Sequence, residues 1–276
     1  MSELAVITGT THGIGRVTSR ELARAGKTVI MLCRDLTAGA AVRDEITRGT
    51  PRARVELVHC DLASLASVRD AAATVRRDYP LLSLLVNNAG MASTRRRTSV
   101  DGFELTFATN HLGPFLLTSL LSDHLDRTAR IVMVASRIHY RGRPDFEAVT
   151  NARSRYRATA AYARSKLANV LHTFALARRM AGTGISVNCL HPGVVATNLL
   201  PPWLRIIKPL ITREMFDAER GARTSLYVAL NSSVAGVTGR YFDEYQYPRS
   251  ASPLANDVGL QDSLWKLSAS WTGVPQ

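Results

Sequence analysis

The chain has 276 residues, 46% of them hydrophobic, and carries a formal net charge of +13 at pH 7. That length can bury a large core as one α/β domain over 1–276, no apolar run approaches the roughly 18 to 20 residues of a membrane span, and no basic-apolar-small leader opens the sequence; the cytoplasm is the expected location. Only four of the 35 basic residues are lysines (Lys27, Lys166, Lys208, Lys266), and with no helix-turn-helix, finger or aromatic-basic repeat, nucleic acid is not an expected partner.

Strands and helices alternate along the chain, which predicts a doubly wound, mostly parallel sheet of seven strands flanked by helices. Apolar runs predict strands at Leu4 to Ile7, Thr28 to Leu32, Arg54 to His59, Leu82 to Val86, Arg130 to Val134, Ile185 to Leu190 and Arg240 to Phe242. Helices are predicted between them, near Ile14 to Ala25, Leu36 to Arg48, Leu65 to Tyr79, Gly102 to His124, Ala160 to Met180, Ala218 to Leu230 and Asn256 to Ser270. Cys33, Cys60 and Cys189 lie at or near the ends of predicted strands with no metal-ligand spacing, so they read as reduced core thiols and no metal is expected. The densest arginine groups are Arg95 to Arg97, Arg137 with Arg141 and Arg143, and Arg153 with Arg155 and Arg157. All fall in predicted loops or at a helix start, either as a solvated surface or as a rim that attracts an anionic ligand.

The first predicted strand runs into Thr8-Gly9-Thr10-Thr11-His12-Gly13-Ile14-Gly15 and then into a helix. Strand, glycine-rich turn and helix in that order open a dinucleotide-binding fold. Gly9 permits the tight turn, Gly13 lets backbone approach a pyrophosphate, and Gly15 lets helix pack on strand, while the helix N-terminus presents amide donors. The spacing is G-x-x-x-G-x-G rather than the commoner G-x-G-x-x-G.

Tyr162 and Lys166 stand one helical turn apart, on one face. A phenol titrates near pH ~10. An ammonium about 4 Å away, at an effective dielectric near 20, would favour the phenolate by roughly 4 kcal/mol, about three pKa units before desolvation takes some back. Such a phenol would suit general acid-base catalysis, although the same spacing occurs by chance on many helices.

Together these residues resemble the short-chain dehydrogenases/reductases, and within them the retinol dehydrogenase and protochlorophyllide reductase branch, over nearly the whole chain. The resemblance rests on Thr8 to Gly15, Asn87-Asn88-Ala89-Gly90, Ser136, Tyr162 to Lys166 and Pro192-Gly193. Asn110-His111-Leu112-Gly113, Ser165 to Asn169, His191 to Val195, Gly239 to Phe242 and the long gap between Ser136 and Tyr162 point to the branch. It implies Asn110, Ser136, Tyr162 and Lys166 as the catalytic set. It implies a cofactor held by Gly9, Thr11, His12, Gly13, Ile14, Gly15, Arg34, Asp61, Leu62, Asn88, Ala89, Gly90, Tyr162, Lys166, Pro192, Gly193, Val195 and Thr197. In that family Asn110 would hold a water linking the lysine to bulk, Asp61-Leu62 would contact adenine, and the long helices bearing Asn110 and Tyr162 pair in homodimers.

The resemblance also bears on the cofactor. The acid diagnostic of NAD enzymes would fall at Cys33, which is neutral and is followed by Arg34, so NADP(H) is expected over NAD(H). Asp35 could instead turn inward to a ribose hydroxyl, or cap the next helix. His139 and Tyr140 read at most as substrate-pocket lining, and His111 and His191 as satisfied structural histidines. The stretch near 194–217 is markedly apolar and in the family folds over the substrate, so it reads as a lid for a hydrophobic ketone, aldehyde or alcohol, or as a surface packed on the core, a partner or a membrane. The activity implied is hydride transfer to or from such a substrate. A non-redox isomerase or cyclase on the same scaffold and an NADP-sensing binding protein are the other classes considered; the intact Asn110, Ser136, Tyr162 and Lys166 argue against the first.

Overall fold

The computed structural model describes residues 3–193 and 217–275. The apolar runs of the sequence become the centre of one sheet. Strands β1 (Leu4–Thr8), β2 (Thr28–Cys33), β3 (Arg54–His59), β4 (Leu82–Asn87), β5 (Leu125–Val134), β6 (Ser186–Leu190), β7 (Tyr241–Phe242) and β8 (Pro248–Arg249) lie in the order β3-β2-β1-β4-β5-β6-β7-β8. All pairings are parallel except β7 with β8. β1 is buried along its full length, as a strand covered on both faces must be. Leu4 and Val6 face one core layer and Ala5 and Ile7 the other. β3 is the edge strand and alternates, with Arg54, Glu56 and His59 not buried.

The sheet has eight strands where seven were predicted. β8 is two exposed residues, one a proline, with no apolar alternation to mark it, and it pairs by folding back on β7 through Gln246, whose φ is 69°. β5 begins five residues before the predicted Arg130, because Asp126 to Thr128 interrupt its hydrophobic pattern.

Helices α1 (Gly13–Arg24), α2 (Leu36–Gly49) and α3 (Leu65–Asp78) start where the sequence suggests. The Asp35 carboxylate accepts the Ala38 N–H at 2.9 Å and caps α2, and Ser64 caps α3. The long helix expected from Gly102 is broken into α4 (Leu105–Phe107), a π-turn (Ala108–Leu112) and α5 (Gly113–Leu121). Pro114 supplies part of the reason. It has no N–H, so the carbonyl of Asn110, four residues earlier, lacks its α-helical donor. A short helix α6 (Glu147–Thr150) precedes α7 (Ala158–Arg179), the helix of Tyr162 and Lys166. After β6 come α8 (Ala218–Leu230), α9 (Pro253–Asn256) and α10 (Val258–Thr272).

α10 lies across the outer faces of α5 and α7. Trp265 packs on Phe115 and His172 at centroid distances of 5.1 and 5.6 Å, and Trp271 on Phe103 at 5.8 Å. Ser268 meets His111 Nε2 at 2.8 Å, and Asp262 accepts hydrogen bonds from Arg178 and Arg179 at 2.8 and 3.2 Å. No helix among the described residues is long and apolar enough to cross a membrane.

Candidate active site

The sheet brings its functional residues to the carboxyl ends of the strands, around the crevice between β1 and β4 where the strand order reverses. Gly9 and Gly13, with φ of 70° and 57°, make the turn after β1. A β-carbon on Gly9 would stand 2.7 Å from the Ala89 Cα, and one on Gly15 would collide with the Gly9 carbonyl and the Asn88 amide. His12 occupies the N-cap of α1 without a side-chain cap, so the first amides of that helix keep no side-chain acceptor. The hydroxyl of Thr10 is buried with no hydrogen-bond partner. A backbone cradle, uncapped amides and an orphaned hydroxyl fit the pyrophosphate of a dinucleotide. Thr11 lies beside His12, its Oγ1 3.0 Å from Nδ1. Ile14 turns its side chain into the core beside Val17 and Ala222, leaving only its backbone for a ligand.

The asparagines after β4 are braces. Asn87 Nδ2 donates to the Thr118 hydroxyl on α5 at 2.9 Å, while Asn88 Nδ2 donates to the Thr8 and Gly9 carbonyls at 2.9 and 3.0 Å. Thr8, whose motif carries no side-chain signal for such a task, accepts the Asn88 and Ala89 N–H groups at 3.1 and 3.0 Å and so locks the two crevice loops together. Arg34 is exposed beyond β2, and the Cys33 thiol is turned toward Gly39, away from solvent. Burial raises the thiol pKa of all three cysteines, Cys60 and Cys189 up to about 12, and all three are unpaired. Asp61 Oδ1 accepts the Ala63 N–H at 3.0 Å in a local turn, and the Leu62 side chain is in the core. Pro192 and Gly193 follow β6 at the same edge, Gly193 with φ of 86°, whereas Val195, Thr197 and the apolar stretch 194–216 lie outside the described residues.

Ser136, Tyr162, Lys166 and Asn110 come together beside this crevice. Ser136 follows β5 with an extended backbone, and its hydroxyl lies near enough to the Tyr162 phenol to favour the phenolate; both side chains stay partly exposed. Lys166 Nζ is buried, donates to the Val134 carbonyl at 2.8 Å and lies 5.7 Å from the Tyr162 ring centroid. It would sit 3.3 Å from a β-carbon on Gly90, so that glycine gives the ammonium its room. Asn110, in the π-turn, spends its side chain on structure: Oδ1 accepts the Met91 N–H at 2.7 Å, and Nδ2 donates to the Met91 carbonyl at 2.9 Å and to Ser165 Oγ at 3.0 Å. Ser165 Oγ in turn donates to the Tyr162 carbonyl at 2.8 Å. The loop after β4, the π-turn and the Tyr162 helix are thereby one unit.

The electrostatics correct the expectation from spacing. Burial pushes the Tyr162 phenol up to about 12, with only the Ser136 hydrogen bond pulling it down, and pushes Lys166 down to about 8. The ammonium donates to the Val134 carbonyl, and desolvation dominates the acidity of the phenol. Two histidine readings also change. His139 is wholly buried, with both ring nitrogens hydrogen-bonded to backbone, and His191 is buried with neither ring nitrogen hydrogen-bonded among the described residues. The arginine-rich loops are partly structural, as the Arg96 guanidinium donates twice to the Ala148 carbonyl at 3.1 Å.

Residues 3–205 match the short chain dehydrogenase family. The chain belongs to that family. Among curated dehydrogenases, retinol dehydrogenase 13 of Homo sapiens is 38% identical over 288 residues, covering 98% of this chain and 84% of its own, and retinol dehydrogenase 14 of Mus musculus is 40% identical over 290, covering 98% and 85%. An uncharacterised protein from Mycobacterium paratuberculosis, 36% identical, superposes with a TM-score of 0.82 over 99% of this chain and 95% of its own. A protein of Beutenbergia cavernae assigned as an NAD(P)-dependent gluconate 5-dehydrogenase, solved with NADP bound, is 28% identical with a TM-score of 0.71, covering 88% and 94%. Membership makes the chain an oxidoreductase of the retinol dehydrogenase-like branch that uses a nicotinamide cofactor.

Proposed function

We propose that the chain is an NADP(H)-dependent dehydrogenase/reductase acting on a hydrophobic aldehyde, ketone or alcohol, as a single domain whose apolar segment near 194–217 covers the substrate. The observation that carries the reading is the meeting of Ser136, Tyr162 and Lys166 beside the glycine cradle of the β1–β4 crevice. When bound, the nicotinamide supplies or accepts the hydride. The protein's part is proton handling and placement. Tyr162, protonated throughout the neutral range, is an acid placed to give its proton to an oxygen that becomes alkoxide, and Ser136 hydrogen-bonds that oxygen. Lys166 would hold its positive charge toward the cofactor ribose, and Gly90, without a β-carbon, leaves room for the ammonium. The Asn110 carbonyl, without its helical donor because of Pro114, is the acceptor available for a water linking Lys166 to bulk.

Two features support NADP(H) over NAD(H). Arg34 is exposed just beyond the carboxyl end of β2, the region from which an arginine accommodates a 2′-phosphate in such folds, and Asp35, the acid that could have taken a 2′-hydroxyl, caps α2. The names of the curated relatives, retinol dehydrogenases, support a hydrophobic alcohol or aldehyde, and the cytoplasm is the proposed compartment. Oxidation of NADPH and of NADH across a panel of hydrophobic aldehydes and ketones tests the reading. NADPH-linked turnover supports it; a clear preference for NADH reverses the cofactor choice, cofactor-independent conversion points to an isomerase, and binding without turnover to a sensor.

A further inference from the structure

We propose that His139 is a positioning residue for Ser136: its imidazole, as the Nδ1–H tautomer, ties the Ser136 carbonyl to the backbone N–H of Ser252 and so fixes where the Ser136 hydroxyl stands. The inference rests on the role given to Ser136 above.

The tautomer follows from the partners. Nε2 lies 3.1 Å from the Ser252 backbone nitrogen, and Nδ1 lies 2.8 Å from the Ser136 carbonyl oxygen. A backbone N–H can only donate and a carbonyl can only accept. Nε2 must therefore offer its lone pair and Nδ1 must carry the proton, so a single neutral form satisfies both ends. Burial holds the ring below the usual imidazole pKa, with the Ser136 carbonyl opposing. The ring is wholly buried between Tyr140 and Tyr241, at centroid distances of 4.2 and 4.8 Å, which leaves it no room to swing away.

Both ends of the link are anchored. The 3-10 turn that carries His139 (Arg137–Arg141) lies flush on α7, since a β-carbon on Gly142 would stand 2.6 Å from the Leu167 β-carbon and 2.7 Å from the Ala163 carbonyl oxygen. Ser252 caps α9 by accepting the Ala255 N–H at 3.3 Å, and Asn256 Nδ2 donates to the Ala251 and Ser252 carbonyls at 3.3 Å each. Ser136 needs such support. It is the last extended residue after β5, and its own hydroxyl holds the following turn by one long hydrogen bond of 3.4 Å from Ile138. His139 fastens this strand end to the C-terminal segment, 113 residues away in sequence, beside a second tie from the Tyr140 hydroxyl to the Ser250 carbonyl, which does not touch Ser136.

Two measurements test the proposal. Nitrogen-15 NMR of the imidazoles in the intact protein is expected to show His139 as the Nδ1–H tautomer with Nε2 accepting, unchanged from pH 8 to 6; the Nε2–H tautomer, or ordinary titration in that range, overturns it. The second compares His139→Asn, which keeps a donor toward Ser136, with His139→Gln, which keeps an acceptor toward Ser252, and His139→Phe, which keeps only ring volume. Assayed well below each Tm, His139→Phe and His139→Gln should lose about 10- to 100-fold in kcat with an unchanged KM for NADPH, the cost of a misplaced reacting group, while His139→Asn recovers most of it. Equal kcat in all three, or losses that follow Tm alone, overturns the proposal. Should His139→Phe fail to fold, the Asn and Gln pair carries the comparison. Absence of turnover in the wild-type protein would count against the proposed function, and the tautomer would still decide whether the clamp exists.

Discussion

Burial acts on Tyr162 and Lys166 in opposite directions, and the consequence is a pH dependence unlike the one their spacing suggests. The phenol at about 12 keeps its proton across the working range, whereas the lysine at about 8 begins to lose its charge just above neutrality. In the reducing direction kcat/KM is therefore expected to be flat from pH 6 to 7.5 and to fall above pH 8 as Lys166 loses its proton. A profile that stays level to pH 10 contradicts that assignment. The four positions that meet beside the crevice, Asn110, Ser136, Tyr162 and Lys166, and the glycine loop were legible in the sequence because a few residue types at fixed spacing mark them. The phenol's acidity was not, because helical spacing places two groups near one another but says nothing of the Val134 carbonyl that claims the ammonium. His139 was misread for a similar reason: one of its partners, Ser252, is far away in sequence and takes part through its backbone.

Asp35 at the start of α2 shows how an element boundary decides chemistry. Its carboxylate is held by the Ala38 N–H, so Asp35→Ala should cost about 1 kcal/mol of stability, as loss of an N-cap does, and leave the NADPH to NADH preference unchanged. Arg34→Ala should instead raise the KM for NADPH severalfold with little change for NADH. If Asp35→Ala shifts the preference, the carboxylate faces the cofactor and the cap is incidental. The central strands could be read in advance because a strand buried on both faces must be apolar throughout. The π-turn could not, since only Pro114 marked it and a proline early in a helix is ordinarily harmless. The burial of Asn110 and its two hydrogen bonds to Met91 emerge only once the loop after β4 is packed against that turn.

The molecule as a whole carries two consequences of its buried histidines and its last helix. His111, His139, His172 and His191 are all held below the usual imidazole range by burial, His172 down to about 3 and His191 to about 4. The unfolded chain takes up these protons first as pH falls, so stability is full above pH 6.5 and is lost progressively below it. By pH 5 each imidazole that stays neutral forfeits about 2 kcal/mol. Tm should be level between pH 7 and 8 and drop steeply toward pH 5, and His172→Phe should flatten that drop; an unchanged Tm at pH 5 contradicts the burial. The family's habit of pairing subunits through the helices of Asn110 and Tyr162 meets a different surface here, because Trp265 and Trp271 of α10 already cover that face. Sedimentation is expected to show no dimer formed through α5 and α7, and a dimer whose interface cross-links through Phe115 or His172 contradicts the packing. This cover was not legible in the sequence, which marked a helix near Asn256 to Ser270 but not what it packs against.

The account depends most on a protonated Tyr162 that hands its proton to a substrate oxygen beside Ser136. Steady-state NADPH oxidation with a hydrophobic aldehyde, wild type against Tyr162→Phe, with NADPH binding followed in the same samples, tests it most directly. The predicted result is a loss of about 10²- to 10⁴-fold in kcat with cofactor binding intact. A phenylalanine variant that turns over at the wild-type rate would contradict it.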